Sequence, residues 1–141
     1  MRFMLLMYPN PAAEAGRLPT AEEVSAMGAY NQQLMEAGIL LALDGLQPTS
    51  RGARVRFGGG KPVVTDGPFA EAKEVLGGYW MIQVGSKEEA VAWAARCPVD
   101  DPAVFIEVRR VFELEDFPAE VQAAAADELE LAAKLGPRRQ G

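Results

Sequence analysis

Two stretches of sequence decide the fold: residues 1–8, "MRFMLLMY", and residues 77–84, "GGYWMIQV". In the first, Phe3, Leu5 and Met7 alternate with Met4, Leu6 and Tyr8, so a strand here is apolar on both faces. The second reads the same way. Strands buried on both sides are central in their sheet. Working outward, "PNPAAEAGRLP" reads as a polar loop, and Thr20 with Glu23 spells a capping box that starts a helix. Val24, Met27, Tyr30 and Leu34 follow at helical spacing, and Gly38 stands where that helix ends. "ILLALDGLQP" is a second strand. Residues 53–65 read as a hairpin turned by Gly58, Gly59 and Gly60, with Ala53, Val55 and Phe57 alternating with Arg54 and Arg56. Ser86 and Glu89 spell a second capping box, ahead of a stripe of Ala90, Trp93, Ala94 and Cys97 that Pro98 stops. "AVFIEVRRVF" is a last strand. A final helix over about residues 117–135 carries Val121, Ala125, Leu129, Ala132 and Leu135 on one face.

With the hairpin set aside the order is βαββαβ, which predicts an α+β, ferredoxin-like domain with an inserted β-hairpin and an added C-terminal helix. The predicted organisation is a core domain over 1–118 and a helical extension over 119–141. Two helices cover one face of such a sheet. The other face is apolar as well, so a second copy is expected against it, giving a homodimer.

The 141 residues suit one main domain, and 49% apolar with 24% charged residues is ordinary for a soluble protein. The net charge of −6 and the lack of a basic stripe argue against a nucleic-acid partner. The first apolar run is too short to span a bilayer and lacks a cleavage site, so no membrane association or leader is expected. The single cysteine, Cys97, allows no internal disulfide and suits the cytoplasm. There is no histidine, which removes the commonest general base and metal ligand. No phosphate loop, dinucleotide fingerprint or metal cluster is legible, so no metal and no cofactor are expected.

The most unusual wording is "TDGPFAEAKE", residues 65–74. A turn aspartate usually accepts a hydrogen bond from the backbone two residues on. For Asp66 that residue is Pro68, which has no N–H. Gly67 is then expected to cap, and Pro68 to begin, a short helix, leaving the Asp66 carboxylate free to face a pocket. The alternative is that Asp66 ties down the loop. Gly67 and Pro68 shape the corner, and Phe69 reads as core or ligand platform. Glu71 and Lys73 read as a solvated face or as the mouth of the pocket. Asp44, at the end of the second strand, and Gln83, on the sheet, complete the candidate ligand-binding set, with Asp66 as the candidate catalytic carboxylate. Trp80 and Trp93 read as core, and Cys97 as a small buried hydrophobe with no histidine to activate it.

These blocks, with "SKEEAVAWAARCP" and "IEVRRVFELEDF", resemble the YCII-related, or DGPF-domain, family over roughly residues 1–118. The resemblance implies a dimeric α+β barrel of two facing ferredoxin-like sheets. It also implies an association of some members with alternative sigma factors, so an accessory or regulatory role stands beside small-molecule binding and weak catalysis by an acidic residue. A His–Asp pair proposed for wider relatives falls near Met27 and at Cys97 in this sequence, so that chemistry does not transfer.

Overall fold

A computed structural model describes residues 1–69 and 74–135. The chain divides into two compact units, Met1–Arg110 and Val111–Gly141.

The first unit is the ferredoxin-like α+β domain. Its strands are β1 (Arg2–Tyr8), β2 (Leu40–Gly45), β3 (Ala53–Arg56), β4 (Val63–Asp66), β5 (Gly78–Gln83) and β6 (Phe105–Arg110). Its helices are α1 (Pro11–Glu14), α2 (Ala21–Glu36) and α3 (Lys87–Ala95), with a 3-10 turn at Thr49–Arg51. The four-stranded sheet has the order β2-β5-β1-β6, and every neighbouring pair is antiparallel. The two strands apolar on both faces therefore lie at its centre, as their sequences require. β3 and β4 form a separate two-stranded hairpin. Gly58, Gly59 and Gly60 all take positive φ at its tip, a region open to glycine at little cost.

Because opposite residues of antiparallel strands share a face, the register sorts the side chains. Phe3, Leu5, Trp80 and Ile82 point to one face and are buried there with Tyr30 and Leu34 of α2 and Ala90 of α3. Leu5, Leu34 and Ile82 are fully buried, each contributing about 1.5–3 kcal/mol of apolar transfer. The edge of the Tyr30 ring meets Trp80, with centroids 5.7 Å apart at 83°. The polar tips of both rings find partners: Tyr30 donates its hydroxyl to the Trp93 carbonyl at 2.7 Å, and Trp80 Nε1 donates to Asn31 Oδ1 at 2.8 Å. Burial pushes the Tyr30 hydroxyl up to about 12. The opposite sheet face carries Met4, Leu6, Tyr8, Tyr79 and Met81, all half-buried, with Phe105 exposed and stacked on Tyr8 at 4.6 Å.

Both capping boxes start their helices by one half of the expected exchange. Thr20 Oγ1 accepts from the Glu23 N–H at 3.1 Å, while the Glu23 carboxylate turns to Arg17 at 2.8 Å. Ser86 Oγ accepts from the Glu89 N–H at 3.1 Å, and Glu89 reaches the N–H of Gly85 at 2.9 Å. The segment after β1, expected as loop, contains the short helix α1. Asn10 Oδ1 caps it by accepting from the Ala13 N–H at 2.9 Å, and Pro11 stands first, where its missing N–H costs nothing.

The second unit opens with a 3-10 turn at Leu114–Asp116, in which the Asp116 carboxylate accepts from the Glu113 N–H at 2.7 Å. Phe112 and Phe117 pack with centroids 5.2 Å apart. α4 (Ala119–Ala133) follows, and Gln122 Nε2 donates to the Phe117 carbonyl at 3.1 Å ahead of it. Among the described residues no helix is long and apolar enough to cross a membrane.

Candidate functional site

The DGPF corner is built on the backbone of Thr49. The Gly67 N–H donates to the Gly52 carbonyl at 2.9 Å, which draws the end of β4 onto the 3-10 turn. The approach is so close that a Cβ on Gly67 would sit 1.7 Å from the Thr49 oxygen. Thr49 is itself held from the other side. Its N–H donates to Glu14 Oε1 at 3.1 Å, and its hydroxyl donates to the same oxygen. The Phe69 N–H points to Thr49 Oγ1 at 3.4 Å, and the Arg54 guanidinium lies 3.9 Å from the centre of the Phe69 ring. Gly67–Pro68 is a cis peptide, and Pro68 and Phe69 belong to no helix, so the expected cap at Gly67 and helix start at Pro68 do not form. Asp66 is exposed. Among the described residues its carboxylate accepts no hydrogen bond and forms no ion pair. Glu71 and Lys73 lie outside the described residues.

The other two candidate residues lie on the four-stranded sheet. Asp44 ends β2 and accepts the Tyr79 hydroxyl at 2.7 Å across the strand pair, a bond that raises the Tyr79 pKa above its ordinary value. Gln83 pairs with Arg2 at one end of β5, whereas the connection from the corner enters at Gly78, the other end. Five residues of strand separate the two ends by about 17 Å.

A cleft of about 510 Å³ opens at a different place. Its walls are Met7 at the end of β1, Pro9, Asn10 and Ala13 around α1, Glu23 and Met27 on α2, and Pro98–Asp101 with Val104 from the connection between α3 and β6. Asn10 is its organising residue. One end of its amide caps α1, and Nδ2 donates to Asp101 Oδ2 at 2.9 Å, across 91 residues of sequence. Asp101 Oδ1 also accepts from the Ala103 N–H at 2.9 Å. These bonds, first the one from Asn10, hold the Asp101 carboxyl below the ordinary carboxylate value. At the rim, Arg17 pairs with Glu23. A second cleft of about 540 Å³, lined by Val91, Ala94, Cys97, Ile106 and Val108, adjoins it and shares Val99, Asp101 and Val104. Cys97 lines the second cleft, and burial pushes its thiol up to about 11, so it is protonated at neutral pH. Among the described residues no group of three His, Cys, Asp or Glu side chains is placed to hold a metal ion.

Two of these features escape the sequence. Asn10 and Asp101 show no local pattern, because their meeting depends on β1 and β6 being neighbours. Thr49 carries no motif either; it is the first residue of the 3-10 turn Thr49–Arg51. The helix α1 joins both sites: Ala13 faces the cleft, and the next residue, Glu14, anchors Thr49 and through it the DGPF corner.

The family model for the YCII-related domain matches residues 1–115. An uncharacterised protein of Rhizobium meliloti (strain 1021) is 40% identical over 96 residues, covering 67% of this chain and 77% of its own. The match takes in every strand of the sheet, the DGPF corner and both sides of the cleft, and by it the chain belongs to the YCII-related family.

Proposed function

We propose that the protein binds a small molecule in the cleft between α1, α2 and the connection that precedes β6. The observation that carries this reading is the cleft itself. Its volume falls within the range of about 300–1,000 Å³ common for ligand sites, and it joins apolar walls (Met7, Met27, Val99, Val104) to a few fixed polar groups. The Asn10 amide and the Asp101 carboxylate hold each other, so a ligand meets a preorganised acceptor rather than a mobile one. Met27, where the resemblance puts a histidine in wider relatives, lines this cleft, as does Pro98. Without that histidine, a carboxylate is the proton acceptor that remains for chemistry here.

In this reading the DGPF corner braces the site from outside. It anchors Thr49, which anchors Glu14 at the end of the helix whose start is capped by Asn10. The test is equilibrium dialysis of the protein against a small-molecule extract, followed by mass spectrometry of what is retained. The wild type should enrich one compound class, and Met27→Trp, which fills the cleft, should not. Equal enrichment by both would reject the cleft as the site.

We also propose that two copies pair through the sheet face that carries Met4, Leu6, Tyr8, Tyr79, Met81 and Phe105. None of these belongs to the buried core of the chain, and together they form an apolar surface of the kind that obligate partners cover. Light scattering should report a dimer at micromolar concentration; a stable monomer would exclude this pairing.

A further inference from the structure

Val99, Asp101 and Val104 line both clefts, and all three stand in the connection between α3 and β6. Backbone bonds fix this shared lip: the Val104 N–H donates to the Asp101 carbonyl at 3.0 Å, and the Val99 N–H to the Cys97 carbonyl at 2.8 Å. The two sides of the lip differ in chemistry. The first cleft is lined by three acids, Glu23, Asp100 and Asp101, and by Arg17. The Arg17 guanidinium is already engaged, with Glu23 at 2.8 Å and with the Leu18 carbonyl at 3.1 Å. Among the described residues, Asp101 is the one charged group that lines the second cleft. The rest of that lining is valine, alanine, isoleucine, phenylalanine and the protonated Cys97 thiol. There Ala94, Cys97, Ile106 and Val108 pack against the core and remain half-exposed. Asp101 also has acceptor capacity to spare. Each carboxylate oxygen offers about two lone-pair sites, and Asn10 and Ala103 take one on each.

We propose that the two clefts are the two parts of one site, and that it takes a primary amine carrying an apolar chain. The ammonium sits on the spare lone pairs of Asp101, and the chain lies along Ala94, Val99, Ile106 and Val108. This inference rests on the cleft reading above and adds the ligand class to it. Charge decides the head group. An ammonium has three donors and no acceptor, so it matches a lining whose unspent groups are carboxylates. An anionic head would meet like charge, and the one base in the lining is held by Glu23. Apolar area decides the tail. A chain laid on Ile106 and Val108 removes apolar surface from water on both partners. Because Asp101 lines both clefts, an ammonium seated on it puts the first carbons of its chain at the mouth of the apolar one.

The experiment is an NMR titration of the full chain at neutral pH with ethylamine, butylamine, hexylamine and octylamine, and with octanoate. In the wild type the dissociation constant should fall by about threefold for each added methylene, and octanoate should not bind. Ala95→Trp fills the second cleft from an exposed position at the end of α3. It should leave ethylamine binding unchanged and remove the gain with chain length. Asp101→Asn keeps the shape of the side chain and should weaken every amine by about tenfold or more. Octylamine, and not ethylamine, should slow the reaction of Cys97 with methyl methanethiosulfonate, because the thiol lines the second cleft. Amines that bind with no gain along the series, or with a gain that Ala95→Trp leaves intact, would overturn the two-part site and leave the first cleft standing. Octanoate binding as tightly as octylamine would overturn the amine head. No binding by any amine would overturn the ligand class, while retention of another compound that Met27→Trp abolishes would still uphold the first cleft. Amine binding that Met27→Trp leaves unchanged would overturn both.

Discussion

Replacing Gly67 with alanine adds one methyl group, and the structure says where it goes. The new Cβ lies 1.7 Å from the Thr49 carbonyl oxygen and 2.5 Å from its carbon, against 3.4 Å for the start of ordinary contact. Both nearest atoms are backbone, so no side chain can swing aside. Either the end of β4 or the Thr49 turn has to retreat by more than an ångström. Retreat of β4 stretches the Gly67–Gly52 bond; retreat of Thr49 stretches its bonds to Glu14. Overpacking of this kind costs about 1–3 kcal/mol, and each lost hydrogen bond about 1 kcal/mol. Gly67→Ala should therefore destabilise by about 3 kcal/mol, which lowers the melting temperature by about 10 °C in a chain of this size. Gly28→Ala is the matched control. Gly28 sits inside α2 with nothing within 4 Å of its added Cβ, so the same substitution should gain up to about 1 kcal/mol of helix propensity. Urea denaturation of both variants measures the two signs together. A Gly67→Ala protein within about 0.5 kcal/mol of wild type would refute the brace between the corner and Thr49.

Asp66→Asn should change stability by less than about 0.5 kcal/mol, since its exposed carboxylate has no partner among the described residues; a loss of several kcal/mol in urea melts would make the carboxylate a structural tie. Asn10→Ala should cost about 1 kcal/mol for the lost cap of α1 and should move the Asp101 titration, followed by carbon-13 NMR, back up toward 3.8. The Asp101 pKa is lowered in the folded state, so its contribution is present above 3.8 and is lost as pH falls through the folded value; the part of the Asn10→Ala deficit that comes from Asp101 should fade in acid. Cys97 should alkylate slowly with iodoacetamide at pH 8 and rapidly only as pH approaches 11, whereas in urea its midpoint should return to about 9.0. Because its pKa is raised on folding, stability should decline from pH 9 toward pH 11 as the unfolded thiol ionises first.

The sheet was legible because its signals are local. Alternation in "MRFMLLMY" and "GGYWMIQV" put both strands at the centre, and Thr20 and Ser86 marked the starts of α2 and α3. The helix α1 was missed although Asn10, Pro11 and Glu14 spell a helix start. The surrounding glycine and prolines read more loudly as a loop, and one turn of helix has no room for a periodic stripe. At the DGPF corner the missing N–H of Pro68 is legible in the sequence, whereas the contact that holds Gly67 against a chain segment eighteen residues earlier is not. The cleft was illegible for the same reason on a larger scale. Its two central polar residues, Asn10 and Asp101, lie 91 positions apart, and each alone looks like an ordinary loop residue.

The claim at the centre of this account is that the cleft around Asn10, Met27 and Asp101 is the ligand site. Nitrogen-15 NMR spectra of the full chain, recorded against a library of small polar molecules, test it most directly. Binders should shift the resonances of Met7, Asn10, Ala13, Met27, Val99 and Asp101 together, and those shifts should vanish in Met27→Trp. Binders that gather instead around Asp66, Gly67 and Phe69, or that survive Met27→Trp unchanged, would contradict it.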